Sequence, residues 1–145
     1  MEVRKILKSD LDELSHLMVE TYNKEPWNDN WTEETAKESL NTILEFPKFY
    51  GNVVVEKGKI IAAIMGHTRK YSQETTYYIY EFFVSEEYRR KGVATKLYQT
   101  TIDELKKQKV SGAFFTTLKN SPAYNFYKKQ GAWDLSDSAC FYHKF

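Results

Sequence analysis

Three cations and a glycine stand in a row at Arg89-Arg90-Lys91-Gly92, followed directly by Val93-Ala94-Thr95. The residues before them, Tyr-Ile-Tyr-Glu-Phe-Phe-Val from Tyr78 to Val84, form an apolar, β-favouring run. Those after them place Ala94, Leu97, Tyr98, Thr101, Ile102 and Leu105 at spacings of three and four. The pattern predicts a strand, a short basic loop and the start of an amphipathic helix. Such a junction gathers unpaired backbone N–H groups and the positive end of a helix dipole, and glycine lets a ligand approach the main chain closely. The chemistry it suits is phosphate binding. Neither the Walker nor the dinucleotide glycine pattern occurs in the chain, so nucleotide binding of those kinds is not indicated.

Glu81 is a carboxylate between Tyr80 and Phe82-Phe83, where an apolar run would not ordinarily carry charge. If that position is buried, desolvation raises its pKa and makes it a competent base near neutrality; if strict alternation holds, it lies on a solvent face. Further on, Ala123 and Tyr127 are four residues apart on a helix expected to start at Ser121-Pro122, so they share one face, just after Asn120. A phenol there can serve as a proton donor or as a core aromatic. Between Tyr22 and Trp31 a turn-rich stretch carries Glu25, Trp27 and Asp29. Carboxylates among aromatics suit a cationic amine, and the same tryptophans could instead close the core. His16, His67, His143 and Cys140 show no metal-ligand spacing, so no metal is expected.

The elements that would position these residues read as follows. A strand spans Val3–Leu7, and a helix capped by Ser9 carries Leu11, Leu14, Leu17, Met18 and Tyr22 on one stripe. A second helix, capped by Thr32, ends near Glu45 before Pro47. Strands at Phe49–Glu56 and Ile60–His67 flank the turn Lys57-Gly58-Lys59, and a third antiparallel strand covers Thr75–Val84. After the basic loop and its helix, Gly112–Leu118 predicts a fifth strand, parallel to the fourth because a helix intervenes. Trp133–Leu135 and Ala139–Lys144 predict a closing hairpin. The order is a mixed, mostly antiparallel α/β (α+β) sheet of six to seven strands with helices on both faces.

With 145 residues, 41% apolar and 28% charged, the chain reads as a single globular domain over 1–145. A net charge of +1 excludes bulk attraction to nucleic acid. One cysteine, no signal-like N-terminus and no membrane-length apolar run point to a cytoplasmic protein with no membrane partner.

Arg89-Arg90-Lys91-Gly92-Val93-Ala94 resembles the acyl-CoA pyrophosphate loop of the GNAT N-acetyltransferase superfamily, whose pattern is Gln or Arg, two residues, Gly, one residue, then Gly or Ala. Asn120, Ala123, Tyr127 and the Gly131-Ala132-Trp133 that follows are similar to a second segment of that superfamily, with Trp133 where Phe is commoner. The resemblance covers essentially the whole chain. It implies the GNAT-like sheet with its fourth and fifth strands splayed, and acetyl-CoA as cosubstrate held by Phe83, Val84, Arg89 to Thr95, Asn120, Ala123 and Tyr127. It gives the Val84 N–H the task of polarising the thioester carbonyl and Tyr127 that of general acid toward the departing thiolate. Glu81 then corresponds to the base or to a group that binds the acceptor's ammonium. The acceptor would lie against Tyr22, Glu25, Trp27, Asp29, Trp31 and Glu81, as a small cationic amine such as an aminoglycoside or polyamine. A protein or peptide amine and a non-enzymatic acyl-CoA sensor are the alternatives, and homodimers are common in the superfamily.

Overall fold

A computed structural model describes residues 1–145 and divides them into two compact units, Met1–Phe115 and Thr116–Phe145. The first unit holds a sheet of β1 (Glu2–Lys5), β2 (Phe49–Glu56), β3 (Lys59–Tyr71), β4 (Glu74–Val84) and β5 (Gly112–Phe114), in that spatial order. All neighbours run antiparallel except β4 and β5, which are parallel. Its helices are α1 (Leu11–Tyr22), α2 (Glu33–Leu44) and α3 (Val93–Lys107).

Local chemistry explains most boundaries. Lys57 and Gly58, both at positive φ, turn β2 into β3 with the two-residue geometry that matches strand twist. Thr32 caps α2 by accepting from the Thr35 N–H at 3.0 Å, and Glu33 and Glu34 sit in the first turn, where the dipole favours them. At α1 the expected Ser9 cap is not used. Ser9 lies inside a 3-10 turn, Lys8–Asp10, and Asp10 ties the entry together, its carboxylate accepting from the Leu7 N–H at 2.7 Å and from the two terminal guanidinium nitrogens of Arg4. A charge-assisted acceptor outcompetes a hydroxyl for that position.

The core lies between one face of the sheet and α1 with α2, where Leu14, Leu17, Met18, Ala36, Leu40, Val53, Ala63, Met65 and Phe83 are buried together. Across the other face lies α3, fastened by polar contacts rather than by packing alone. Asn52, fully buried, donates to the Thr101 hydroxyl at 2.9 Å and to Glu104 at 2.8 Å, and Glu104 also accepts from Lys5 and Tyr50. These contacts fix where the N-terminus of α3 must fall.

One irregularity decides which side of the sheet Glu81 faces. Pairing runs Ala63↔Phe83, Ile64↔Phe82 and Met65↔Glu81, then shifts to Gly66↔Ile79 and Thr68↔Tyr77, which leaves Tyr80 as an extra residue in β4. Tyr77 belongs to the α3 side, where its hydroxyl donates to the Tyr50 carbonyl and its ring meets Tyr50 edge-on. Strict alternation from Tyr77 would have put Glu81 beneath α3; the bulge turns Glu81 and Phe83 to the α1–α2 face instead. Gly66 makes the bulge possible, because a Cβ there would overlap the Tyr78 carbonyl oxygen. Backbone, not a movable side chain, is the obstacle. Gly66→Ala is therefore expected to destabilise the fold by about 3 kcal/mol, measurable by urea unfolding; a loss near zero would mean the bulge does not need this glycine.

The sheet has five strands rather than six or seven. The fifth ends at Phe114, not Leu118, because its ladder with β4 covers only Thr76↔Gly112 to Tyr78↔Phe114. Beyond it, Ile79–Val84 have no β5 partner, as a splayed pair requires. The closing hairpin does not form either. Ser138 donates to the Leu135 carbonyl to make a turn, but residues 132–145 carry no strand, since a three-residue arm is too short to sustain a two-stranded ladder unaided. In this second unit the ordered element is α4 (Pro122–Lys129), with Ser121 accepting from the Tyr124 N–H at 3.1 Å and Pro122 at the first helical position.

Candidate active site

The basic loop joins β4 to α3 through a 3-10 turn at Glu86–Tyr88. Two residues of the loop adopt left-handed backbone, Arg90 at φ 61° and Gly92 at φ 79°, and Gly92 is the N-cap of α3. A glycine cap offers no side chain to the helix's first N–H groups, and no acidic residue stands in the first turn. The contrast with α2, which has both a threonine cap and two glutamates, is complete. The N–H groups of Val93, Ala94 and Thr95 thus leave the positive end of a 15-residue helix unneutralised. A Cβ built on Gly92 meets nothing within 4 Å, so the space in front of the turn is open. This arrangement fits a pyrophosphate. Arg90 and Lys91 are exposed beside it, while the Val93 side chain is buried, leaving its backbone alone to contribute.

Arg89 faces inward. Its Nε donates to the Val84 carbonyl at 3.3 Å, and its guanidinium lies 5.4 Å from the Trp27 ring centroid. Val84 itself pairs with Ala62, next to Ser85, whose N–H donates to the Ile61 carbonyl at 2.8 Å. Antiparallel alternation then directs the Val84 N–H away from β3, to the side on which β5 has already ended. An outward N–H there is a ready hydrogen-bond donor for an oxygen that develops negative charge.

Around Glu81 the structure brings together four of the residues singled out on the acceptor side. Tyr22 hydrogen-bonds the Glu81 carboxylate and packs edge-on against both Trp27, at 5.2 Å, and Phe83, at 5.7 Å. Burial pushes the half-buried Glu81 carboxyl up to about 7; the Tyr22 hydrogen bond opposes this, and the negative charge of Asp29 adds to it. Phe83, placed on the cofactor side by the sequence reading, has its side chain in the core beneath Tyr22. Trp31 is half-buried against the core, and its indole N–H donates to Asp29 at 3.1 Å. Glu25 stays exposed in the turn. Asn23 shapes the whole loop by bracketing Trp31, donating to its carbonyl and accepting from its N–H, both at 2.8 Å.

In the second unit Asn120 is exposed in left-handed backbone, and Ala123 and Tyr127 are half-buried on α4. Tyr127 and Phe126 meet edge-on at 5.4 Å. The helix closes on Gly131 at φ 97°, with the Ala132 N–H returning to the Tyr127 carbonyl. Sequence reasoning missed Gly66, Asn23 and the bulge at Tyr80. Only Gly66 gave a signal, a glycine in the interior of a strand, which marks a bulge or a close backbone approach.

The family model described as "Acetyltransferase (GNAT) family" matches residues 11–132. Comparison with curated proteins finds no significant match. Among solved structures, the chain is similar to a possible acetyltransferase from Clostridium difficile 630, with TM-score 0.77, 20% identity and coverage of 99% of this chain and 94% of that one. It is also similar to an aminoglycoside acetyltransferase from an uncultured soil metagenomic sample, solved in complex with sisomicin, with TM-score 0.76, 21% identity and coverage of 99% and 95%. A ribosomal-protein-alanine N-acetyltransferase from Brucella melitensis biovar Abortus 2308 gives TM-score 0.76 at 13% identity, with both chains covered in full. These likenesses establish the fold, and the family match spans most of the chain: the protein belongs to the acetyltransferase (GNAT) family and is an acyltransferase of the N-acetyltransferase kind.

Proposed function

We propose that the protein is a cytoplasmic, single-domain enzyme that moves an acetyl group from acetyl-CoA directly to the primary amine of a small acceptor whose reacting end is cationic. The observation that carries this reading is the half-buried Glu81, with its carboxyl raised to about 7, on the same strand whose end opens into the uncapped, acid-free N-terminus of α3. One strand thus links a base to an anion cradle.

Acetyl-CoA, the usual cosubstrate of the family, supplies the acetyl group as a thioester. The main-chain N–H groups of Val93, Ala94 and Thr95, with Arg90 and Lys91, hold the pyrophosphate. Arg89 braces the loop between Val84 and Trp27. On the acceptor side, Asp29, Trp27 and Tyr22 attract and orient an ammonium by charge and cation–π contact. Glu81 takes the proton from that ammonium, and the free amine attacks the carbonyl carbon. The C–N bond forms while the Val84 N–H holds the oxygen, and the C–S bond then breaks. Tyr127 donates a proton to the departing sulfur, and the second proton that the nitrogen sheds on becoming an amide passes through solvent to restore the phenol. No covalent intermediate on the protein is required.

The role of Tyr127 is tested by Tyr127→Phe. A thiol ionises near pH 8.5, so its thiolate is a tolerable leaving group and the acid has less to do than the base. Turnover is expected to fall about tenfold at pH 7 with KM for acetyl-CoA kept. Unchanged turnover would return Tyr127 to a packing role. Transfer to a protein N-terminus is the second reading, favoured by the likeness to the ribosomal-protein-alanine enzyme. Acetylation of peptides but not of small amines would select it.

A further inference from the structure

A groove of about 350 Å³ opens on the first unit, lined by Phe46, Pro47, Lys48, His67, Thr68, Arg69 and Lys70. Its aromatic side is built from several contacts. The Phe46 ring meets His67 edge-on at 5.3 Å and Tyr80 at 5.1 Å, and the His67 ring stacks on Tyr78 and on Tyr80, each at 5.4 Å. Tyr80 is the bulge residue next to Glu81. His67 is fixed further by a contact of 3.2 Å between its Nε2 and the Tyr80 hydroxyl. The rim is cationic: Lys48, Arg69 and Lys70 take part in none of the ion pairs of the chain. The carboxylate nearest Lys48 in sequence, Glu45, is turned back on α2, where it accepts from Asn41 at 3.2 Å, and Glu74, opposite Tyr71 in the β3–β4 ladder, forms an ion pair with neither Arg69 nor Lys70. Three unneutralised cations around stacked rings, in a chain of net charge +1, form a local positive site that the overall composition conceals.

The groove also has a defined position relative to Glu81. Met65 pairs with Glu81, and His67, two residues along β3, pairs with Tyr78 on the same face. At the rise of an extended strand, His67 is about 7 Å and Arg69 about 13 Å from the Met65 level. We infer that the groove at Lys48, His67 and Arg69 is the far end of the acceptor site and binds an anionic group, carboxylate or phosphate, on an acceptor whose amine sits at Glu81. For the position of the amine this rests on the acetyl-transfer reading above. Arginine and lysine beside a planar aromatic wall hold such an anion through charge-assisted hydrogen bonds. The acceptor class narrows accordingly, from amines in general to amines that carry an anion about 7–13 Å away along the strand.

The test measures CoA release with hexylamine, 6-aminohexanoate and 6-aminohexyl phosphate, in the unaltered enzyme and in the double variant Lys48→Asn, Arg69→Gln. Asparagine is chosen because Lys48 has φ 63°, a conformation it tolerates. In the unaltered enzyme at least one anionic amine should exceed hexylamine at least tenfold in kcat/KM, and the better of the two identifies the anion. In the variant that ratio should fall to about one, through loss of the anionic amine's advantage in kcat/KM. A ratio near one in the unaltered enzyme, or the same ratio in both proteins, overturns the inference. Should none of the three be acetylated, the acetyl-transfer reading is what fails for these amines. The groove is then judged by titrating glutarate and inorganic phosphate against the His67 ring resonances in NMR. Saturable shifts that the variant lacks support the site; their absence from the unaltered protein overturns it.

Discussion

Glu81→Gln is expected to lower kcat/KM for amine acetylation by about a hundredfold or more at pH 8, where the native carboxyl is ionised and able to act as base. The pH dependence carries the sharper information. With Glu81 pushed up to about 7, the native enzyme's rate should rise through that pH as the carboxyl loses its proton, and the glutamine variant should lack that rise. Stability should respond with the opposite sign. Between the ordinary carboxyl value of 4.5 and about 7 the unfolded chain ionises Glu81 while the folded one keeps it protonated, so stability falls as pH rises across that window. Removing the group should make the variant more stable than the native protein by up to about 3 kcal/mol at pH 8, with no difference below pH 4.5. Urea unfolding at the two pH values measures this. A variant that is less active yet shows no pH-dependent stability gain would mean that Glu81 is not the strained, desolvated group described here.

Gly92→Val is expected to weaken acetyl-CoA binding by at least about a hundredfold while leaving the protein folded. Both halves follow from the same geometry. A β-branched residue at φ 79° costs about 1–2 kcal/mol of backbone strain, but its Cβ touches no other part of the protein, so nothing in the core has to move. What the side chain does occupy is the open space before the first N–H groups of α3, which the proposed function gives to the pyrophosphate. Isothermal titration with acetyl-CoA, alongside urea unfolding, separates the two effects. Retained affinity in a folded variant would show that the phosphates bind elsewhere.

The strand, basic turn and helix from Tyr78 to Lys107 were legible because their signals are local. A strand, a basic turn, a glycine and a helix are contiguous in sequence, and each element announces itself through its own periodicity or cap. Thr32 and the Lys57-Gly58 turn were legible for the same reason. The setting of Glu81 depends on pairings between distant segments. Whether Glu81 faces the α1–α2 layer is settled by Tyr80 dropping out of register opposite Gly66, and periodicity within β4 alone points to the wrong face. Asp10 displaced Ser9 because of Arg4, six residues away in sequence but adjacent in space. The expected closing hairpin was read from an apolar pattern that promises burial but supplies no ladder. The cationic groove escaped notice since Lys48 and Arg69 look like ordinary surface charges until the fold sets them around Phe46 and His67.

Acetyl transfer to an amine is measured by CoA thiol release from acetyl-CoA against a panel of polyamines, aminoglycosides, amino acids and peptides. Release is expected to depend on the presence of one acceptor class, to rise through about pH 7 and to fall about a hundredfold or more in Glu81→Gln. Tight acetyl-CoA binding with no acceptor-dependent release from any member of the panel would contradict it, and would mark the protein as a binder of acyl-CoA rather than an enzyme that uses it.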